Sequence, residues 1–358
     1  MARSTSPHIK ISESTVPGKA PKPLLRVDDL VTTVFINDRN YNAVDHVSFE
    51  VGQGEVLGLV GESAAGKSMT ALSIIRLIRP PAKIASGRIV FDGTDLLTLS
   101  EPEMSKVRGR DIAMVSQDPM TALNPVKTIG DQLTRVIRLH TPMSKDEATR
   151  RAVEMMRRVG IPAPAERLKS YPHQFSGGML QRISIAMALS CNPKLLIADE
   201  PTTALDVTIQ AQILELLQSL RNDFGMAVLL ITHNLGVVAE FCDRVAVMYA
   251  GKIVEDRETG SLIRTPRHPY AEGLLSVSPT LDQQLDRLPT IKGRMPSLQR
   301  FPPGCRFHPR CPHAFDRCPV EVPPLLPLAD GSRVACHLYD GNLDRAERAT
   351  PAETKERA

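Results

Sequence analysis

The sequence predicts an α/β protein built around a parallel β-sheet, and three observations support this class. An apolar strand at residues 55–60 runs into a glycine-rich turn and then into a helix predicted at 68–78. That order opens a parallel α/β unit. Two more apolar runs, 195–198 and 227–231, are separated by a helical segment at 207–222. Short apolar runs of this kind are typical of strands buried on both faces.

Other segments predict additions to this core. Apolar positions alternate at 25–27 and 44–49, which indicates an antiparallel β subdomain before the glycine turn. A polar stretch rich in Met and Arg, from about 128 to 167, has helical spacing and lies within a helical subdomain expected at about 121–189. A last strand pair at 245–249 and 252–254 completes the predicted core.

Composition excludes several classes of function. The chain has 358 residues, 42% of them hydrophobic, with a net charge of only +4, no Trp and 4% aromatic residues. These values, without an arginine-rich helix, argue against a nucleic-acid partner. No apolar run approaches the ~18 residues of a membrane span, and no apolar signal core begins the chain. Any work at a membrane is therefore expected to need a partner.

Composition shifts along the chain predict four segments. Residues 1–23 are rich in Ser, Pro and Lys and are expected to form a disordered basic tail. Residues 24–260 hold the predicted core. From 261 to 340 Pro, Arg and Cys increase, which indicates a separate C-terminal extension, and the charged residues 341–358 are expected to form a loose tail.

The glycine-rich turn matches a phosphate-binding pattern, G-x-x-x-x-G-K-[ST], between a predicted strand and a predicted helix. Backbone N–H groups in such a loop surround the β-phosphate, and the helix N-terminus adds partial positive charge. The lysine reaches the β- and γ-phosphates, and the serine hydroxyl binds Mg²⁺. The predicted nucleotide-binding residues are Gly61, Glu62, Ser63, Ala64, Ala65, Gly66, Lys67 and Ser68.

A second element supplies carboxylates. The strand at 195–198 ends in Asp199 and Glu200, and ligands of open α/β sheets bind at the carboxyl ends of the strands. We expect Asp199 to hold Mg²⁺ and Glu200 to act as general base on the attacking water. The alternative is an ordinary strand that ends in a solvated acidic pair. Together with the phosphate loop, the pair indicates a P-loop NTPase with a RecA-like core.

Four further elements narrow the class. Residues 175–182, FSGGMLQR, resemble the signature sequence of the ABC ATPases, usually LSGGQ. Gln117 follows a strand as the Q-loop glutamine does, His233 follows a strand as the switch histidine does, and 201–206 (PTTALD) resembles the D-loop. With the phosphate loop and the acidic strand, these elements keep the family's order over about 200 residues.

The resemblance implies a mechanism in which two nucleotide domains meet head to tail around ATP. Ser176, Gly177 and Gly178 would contact the γ-phosphate held by the partner domain. His233 would contact the γ-phosphate as a second catalytic residue beside the general base. Gln117 would touch Mg²⁺ and sense the transmembrane partner.

The same family stacks an aromatic residue on adenine, upstream of the phosphate loop. Phe35 and Tyr41 are both candidates, with a slight preference for Phe35. Local packing of either ring is the alternative.

Four late cysteines, Cys305, Cys311, Cys318 and Cys336, have the spacing C-x₅-C-x₆-C-x₁₇-C, which is not a zinc CxxC pattern. Four thiolates suit a soft metal or an iron–sulfur cluster. The preceding RHPY and GLL at 267–270 and 273–275 resemble the C-terminal extension of oligopeptide/dipeptide (peptide/nickel) importer ATPases, in which such cysteines look like ligands of a [4Fe-4S] cluster. Zinc and free structural thiols are the alternatives.

This resemblance implies an ATP-hydrolysing subunit that powers import of oligopeptides, dipeptides or related small solutes. Its expected partners are a second ATPase subunit, two transmembrane permease subunits and an extracytoplasmic substrate-binding protein, with the chain peripheral at the cytoplasmic face of the cell membrane. Nickel or another non-peptide solute is one alternative cargo. A soluble ABC ATPase of ribosomes or DNA is another possibility, although such proteins usually have tandem domains or a long coiled coil, and this chain has no sustained heptads.

Overall fold

Two β-sheets organise the protein in a computed structural model that describes residues 22–202, 206–276 and 291–340. Most of the predicted tail at 1–23 and all of that at 341–358 lie outside these ranges. The strands are β1 (Leu25–Ile36), β2 (Arg39–Val51), β3 (Val56–Val60), β4 (Ala82–Phe91), β5 (Thr94–Asp95), β6 (Ile112–Val115), β7 (Leu195–Asp199), β8 (Ala227–Thr232), β9 (Arg244–Tyr249), β10 (Lys252–Glu258), β11 (Leu326–Pro327) and β12 (Arg333–Val334).

The helices lie on and between these sheets. They are α1 (Lys67–Ile74), α2 (Glu101–Val107), α3 (Pro119–Ala122), α4 (Ile129–His140), α5 (Lys145–Arg158), α6 (Pro164–Arg167), α7 (Gly177–Leu189), α8 (Val207–Phe224), α9 (Leu235–Phe241), α10 (Thr259–Arg264) and α11 (Pro269–Ser276). Within the described ranges, no helix has both the length and the apolar character that crossing a membrane requires.

The larger sheet has the order β11-β12-β10-β9-β3-β8-β7-β6 and carries the predicted parallel core. Strands β6, β7, β8, β3 and β9 pair in parallel, whereas β10 and β12 are antiparallel. Every residue of β3, β7 and β8 is buried, because helices cover both faces of a parallel sheet. The prediction of an α/β P-loop core is confirmed.

The smaller sheet is the predicted antiparallel subdomain, with the order β2-β1-β4-β5. Strand β1 starts in register with the end of β2, so that Leu25 lies opposite Val51. The predicted helix at 68–78 is shorter in the structure and ends at Ile74. Arg76 takes a left-handed backbone with φ 52°, a conformation that cannot continue a right-handed helix.

A helical subdomain follows β6, as the sequence predicts. Ser144 begins α5 with a capping box to Glu147, and Thr128 caps α4, which satisfies N–H groups that a helix start leaves free. The helices α4, α5 and α7 contact one another. Their buried side chains include Leu133, Ile137, Ala152, Met155, Met156, Ile183 and Ile185.

The C-terminal extension joins the larger sheet. Strand β12 pairs with β10, and β11 pairs with β12. Glu255 of β10 is fully buried, and its carboxylate accepts the N–H groups of Arg267 at 2.9 Å and His268 at 2.8 Å. The side chain of Arg257 lies 3.5 Å from the same carboxylate. This buried carboxylate therefore fixes the chain where it leaves α10.

His268 is buried without a charge. Burial lowers its pKa to about 3, so the imidazole stays neutral at ordinary pH. Its Nδ1 accepts the N–H of Tyr270 at 3.0 Å, which a neutral ring can do and an imidazolium cannot.

We expect Glu255→Ala to lower the free energy of unfolding by about 3 kcal/mol, because two buried N–H groups and the Arg257 guanidinium would lose their acceptor. Thermal and denaturant unfolding would measure the change. The matched control is Glu240→Ala on the exposed side of α9, which we expect to be nearly neutral. Equal stabilities of the two variants would contradict this role of Glu255.

Candidate functional site

The phosphate loop, defined as residues 61–68, connects β3 to α1. Gly61 has φ 155° and Gly66 has φ 106°. A Cβ on Gly61 would lie 2.1 Å from the carbonyl oxygen of Met248, and one on Gly66 would lie 2.7 Å from that of Ala43. Because real Cβ atoms do not approach so closely, both positions require glycine.

Lys67 places a cation at the centre of this loop. It is 5% exposed, and its Nζ donates to the carbonyl oxygens of Gly61 at 2.8 Å and Glu62 at 3.1 Å. Burial lowers the pKa of Lys67, while the carboxylates of Glu200, Asp199 and Glu62 oppose that change. The loop thus holds a buried ammonium group beside its backbone N–H groups, an arrangement that fits phosphate.

Ser68 and Asp199 meet beside the loop. The Oγ of Ser68 donates to Oδ1 of Asp199 at 3.0 Å, and Asp199 is 7% exposed at the end of β7. Burial raises the pKa of this carboxyl group, and the hydrogen bond from Ser68 opposes the rise. A hydroxyl and a carboxylate side by side are oxygen ligands that Mg²⁺ prefers, so these two residues fit the predicted metal.

Glu200 lies between two other predicted residues. Gln117 Nε2 donates to Glu200 Oε2 at 3.2 Å, and His233 Nδ1 lies 3.3 Å from Glu200 Oε1. Glu200 takes φ 46°, a strained backbone that is common at functional sites. The three residues come together because β6, β7 and β8 are adjacent and end at one edge of the sheet.

One cavity collects most of these groups. It is lined by Ser63 to Met69, with Gln117 and Glu200 opposite them. Ala43 of β2 and two residues of the extension, Leu298 and Phe301, complete its wall. The sequence analysis did not identify the last two, because nothing in their local pattern indicates that a distant segment folds back onto the loop.

The two predicted adenine-stacking residues lie elsewhere. Phe35, near the end of β1, is 50% exposed, and Tyr41 is half-buried on β2. Neither is among the described residues that line the cavity.

The signature residues are presented at the surface. Ser176 is the N-cap of α7, where its side chain accepts the N–H of Met179 at 3.4 Å. Ser176 and Gly177 are exposed, and a Cβ on Gly177 would meet nothing within 4 Å. With Gly178 they lie outside the described lining of the cavity. Most of the predicted D-loop, residues 203–205, lies outside the described ranges.

The extension also contacts the phosphate loop through Glu62. Arg310 donates two hydrogen bonds to the Glu62 carboxylate, at 2.8 and 2.9 Å, and the Tyr270 hydroxyl accepts the Glu62 N–H at 2.8 Å. Tyr270 belongs to the His-Pro-Tyr segment that the sequence analysis associated with importer ATPases. The extension therefore braces the loop from outside.

The four late cysteines line one small cavity with Phe307 and several histidines. Burial raises the pKa of Cys311 and of Cys336 to about 12, and the neighbouring thiols raise it further. Among the described residues, no group of three or more His, Cys, Asp or Glu side chains has the arrangement of a metal site. All six cysteines are free thiols.

Comparison with known proteins follows this geometry. The family profile described as "ABC transporter" matches residues 44–203, and the one described as "Oligopeptide/dipeptide transporter, C-terminal region" matches 254–318. The ATP-binding cassette MJ0796, in a dimeric structure bound to ADP and Pi, has a TM-score of 0.60 and 26% identity over 66% of this chain and 98% of that one. CbiO1 of Clostridium perfringens has a TM-score of 0.59 and 26% identity over 68% and 92%.

Curated relatives are more similar in sequence. The oligopeptide transport ATP-binding protein AppD of Bacillus subtilis is 51% identical, with 88% of this chain and 97% of the relative aligned. The dipeptide transport ATP-binding protein DppD of Escherichia coli is 48% identical, with 91% and 99% aligned. The chain therefore belongs to the ABC transporter family, among the ABC-type ATPases that are the ATP-binding subunits of the oligopeptide/dipeptide group.

Proposed function

We propose that this chain hydrolyses ATP to power the import of oligopeptides or dipeptides through a membrane-bound ABC transporter. The observation that carries the proposal is the convergence of Lys67, the Ser68–Asp199 pair and Glu200 at one sheet edge. The peptide half rests on the matched C-terminal region and on the relatives named for oligopeptide and dipeptide transport. These favour peptide import over nickel transport and over action on ribosomes or DNA.

The residues divide the chemistry among them. The phosphate loop and Lys67 bind the β- and γ-phosphates and neutralise their charge. Ser68 and Asp199 hold Mg²⁺, which supplies further positive charge beside the phosphates. Glu200 takes a proton from the water that attacks the γ-phosphorus, while the bond to the departing ADP oxygen breaks. His233, within 3.3 Å of Glu200, orients this carboxylate, and both act on the γ-phosphate side of the site.

A second ATPase subunit completes the site in this proposal. Ser176 and Gly177 present a polar helix start to solvent, away from the chain's own cavity. A helix N-terminus attracts phosphate. Head-to-tail pairing would bring this surface to the γ-phosphate on the partner and trap ATP between two loops. The structure of MJ0796 named above is dimeric by its title.

Membrane permease subunits are the partners that a transport ATPase needs. We infer that they dock on the groove between β6 and the helical subdomain, here called the docking groove. Its lining is largely apolar and half-buried, and includes Met114, Ala122, Leu123, Val136 and Met187. The groove starts directly after β6, whose next residues lead to Gln117. Docking there would couple a permease movement to Glu200. The chain would then sit at the cytoplasmic face of the membrane, with a substrate-binding protein on the other side.

A [4Fe-4S] cluster bound by Cys305, Cys311, Cys318 and Cys336 is a further part of the proposal. Supporting it are the shared cavity of the four thiols and the soft character of sulfur ligands. Metal binding would require the thiols to lose their protons, which the raised pKa of Cys311 and Cys336 opposes until the metal arrives. The role would be structural, because Arg310 and Cys311 are adjacent and Arg310 holds the phosphate loop.

We expect Glu200→Gln to reduce ATP hydrolysis by roughly 100-fold or more, because the amide cannot accept the water proton. Phosphate release measures hydrolysis, and retention of unhydrolysed ATP shows that binding persists. Glu215→Gln on the exposed face of α8 is the matched control. Hydrolysis by Glu200→Gln at the parent rate would make the general-base assignment wrong.

Reconstitution with permease subunits and a peptide-loaded binding protein should stimulate hydrolysis by this chain. Val136→Arg should abolish the stimulation, because it places a charge in the apolar docking groove, while the isolated variant keeps ATP binding and its melting temperature. Leu139→Arg is the control, since Leu139 lies on the same helix but is 71% exposed and outside the groove lining. Full stimulation of the Val136→Arg complex would rule out docking there.

Protein purified without oxygen should contain about four iron and four sulfide ions per chain if the cluster forms. Cys318→Ser should lower both contents, whereas Cys191→Ser, which changes a thiol outside the cavity, should leave them unchanged. Zinc in place of iron, or no metal at all, would contradict the cluster and favour one of the two other readings of these thiols.

A further inference from the structure

The nucleotide cavity has an apolar wall that the core domain alone does not supply. Leu298 and Phe301 of the extension lie beside Ala43 of β2, on the same cavity as the phosphate loop. The short helical turn Leu298–Arg300 packs against β2. This wall is thus an inward-facing apolar surface on a cavity whose other described lining is mostly small or polar.

Phe301 is held in place by a cation. The guanidinium carbon of Arg306 lies 4.3 Å from the centroid of the Phe301 ring, a short cation–π distance. Arg306 is itself fixed, because it donates to Asp45 at 2.5 Å and to the carbonyl oxygen of Ala250. Asp45 also pairs with Lys252 at 2.9 Å. The ring is therefore fixed from behind by a buried network on the core domain.

We propose that Phe301 is the residue on which the nucleotide base stacks, and that Arg306 positions its ring. This proposal rests on the proposed function, since it requires ATP in the cavity. A nucleotide with its phosphates on residues 61–68 must direct its base away from Lys67, and Phe301 lies on that cavity without belonging to the phosphate-binding part. A base between the ring and solvent would extend the stack that begins with the Arg306 guanidinium.

The stacking proposal differs from the expectation drawn from the sequence. Phe35 and Tyr41 precede the phosphate loop, as the resemblance requires, but neither is in the described lining of the cavity. Phe301 follows the loop by more than 230 residues in the sequence and reaches the cavity through the extension. Stacking uses the π-face that every base has, so Phe301 would bind adenine and guanine without reading their edges.

Calorimetric titration of the full chain with MgATP and with magnesium tripolyphosphate separates base binding from phosphate binding. Phe301→Ala should weaken MgATP binding by roughly 5- to 100-fold, the usual range for loss of one base–aromatic stack. Tripolyphosphate, which has no base, should bind as to the parent. Phe301→Trp should retain ATP affinity, and Arg306→Met should give a smaller loss than Phe301→Ala that is again confined to ATP.

Phe35→Ala and Tyr41→Ala are the matched controls, and we expect parental affinities for both ligands. An ATP loss in either control with none in Phe301→Ala would overturn the proposal. An equal loss of ATP and tripolyphosphate in Phe301→Ala would also overturn it, because the ring would then support the loop instead of the base. If the parent bound neither ligand, the proposed ATPase function would fail first, and a parent that bound tripolyphosphate as tightly as ATP would overturn the base stack alone.

Discussion

The phosphate loop keeps its shape because it is clamped between the two sheets. Gly66 lies against the carbonyl oxygen of Ala43 on β2, and Gly61 lies against that of Met248 on β9. The turn after β9 adds a hydrogen bond, from the N–H of Gly251 to the carbonyl oxygen of Ala65 at 2.8 Å. Every other functional residue is placed relative to this clamp. A loop that were free to open would separate Lys67 from the carboxylates that surround it.

The order of strands in the larger sheet determines which side chains reach the loop. Strands β6, β7 and β8 are neighbours and end together, although long segments separate them in the sequence. Gln117, Glu200 and His233 meet for this reason, and Asp199 reaches Ser68. Parallel pairing is thus what converts three distant short motifs into one catalytic edge.

The sequence was informative wherever a pattern was local. The glycines of the loop, the acidic end of β7 and the capping residues each depend on neighbours a few positions away, and the structure shows the strands and helices that these patterns predicted. Contacts between distant segments were not predictable in this way. Arg310 reaching Glu62, and Phe301 reaching the cavity, depend on how residues 291–340 fold back over the core. No periodicity or spacing records that path, and an exposed Phe35 fits the family's sequence position as well as a stacked one does.

The bond between Arg310 and Glu62 joins residues 248 positions apart, and this separation has a consequence for how the protein is made. During synthesis, the segment 61–68 leaves the ribosome long before its brace exists, since domains form in N-to-C order. Strand β10 likewise waits for β12 to pair with its free edge. The newborn core therefore has an unbraced phosphate loop and an open strand edge until almost the whole chain has emerged. A chain that stops before residue 310 would hold the complete set of nucleotide motifs and still lack the support that keeps them together.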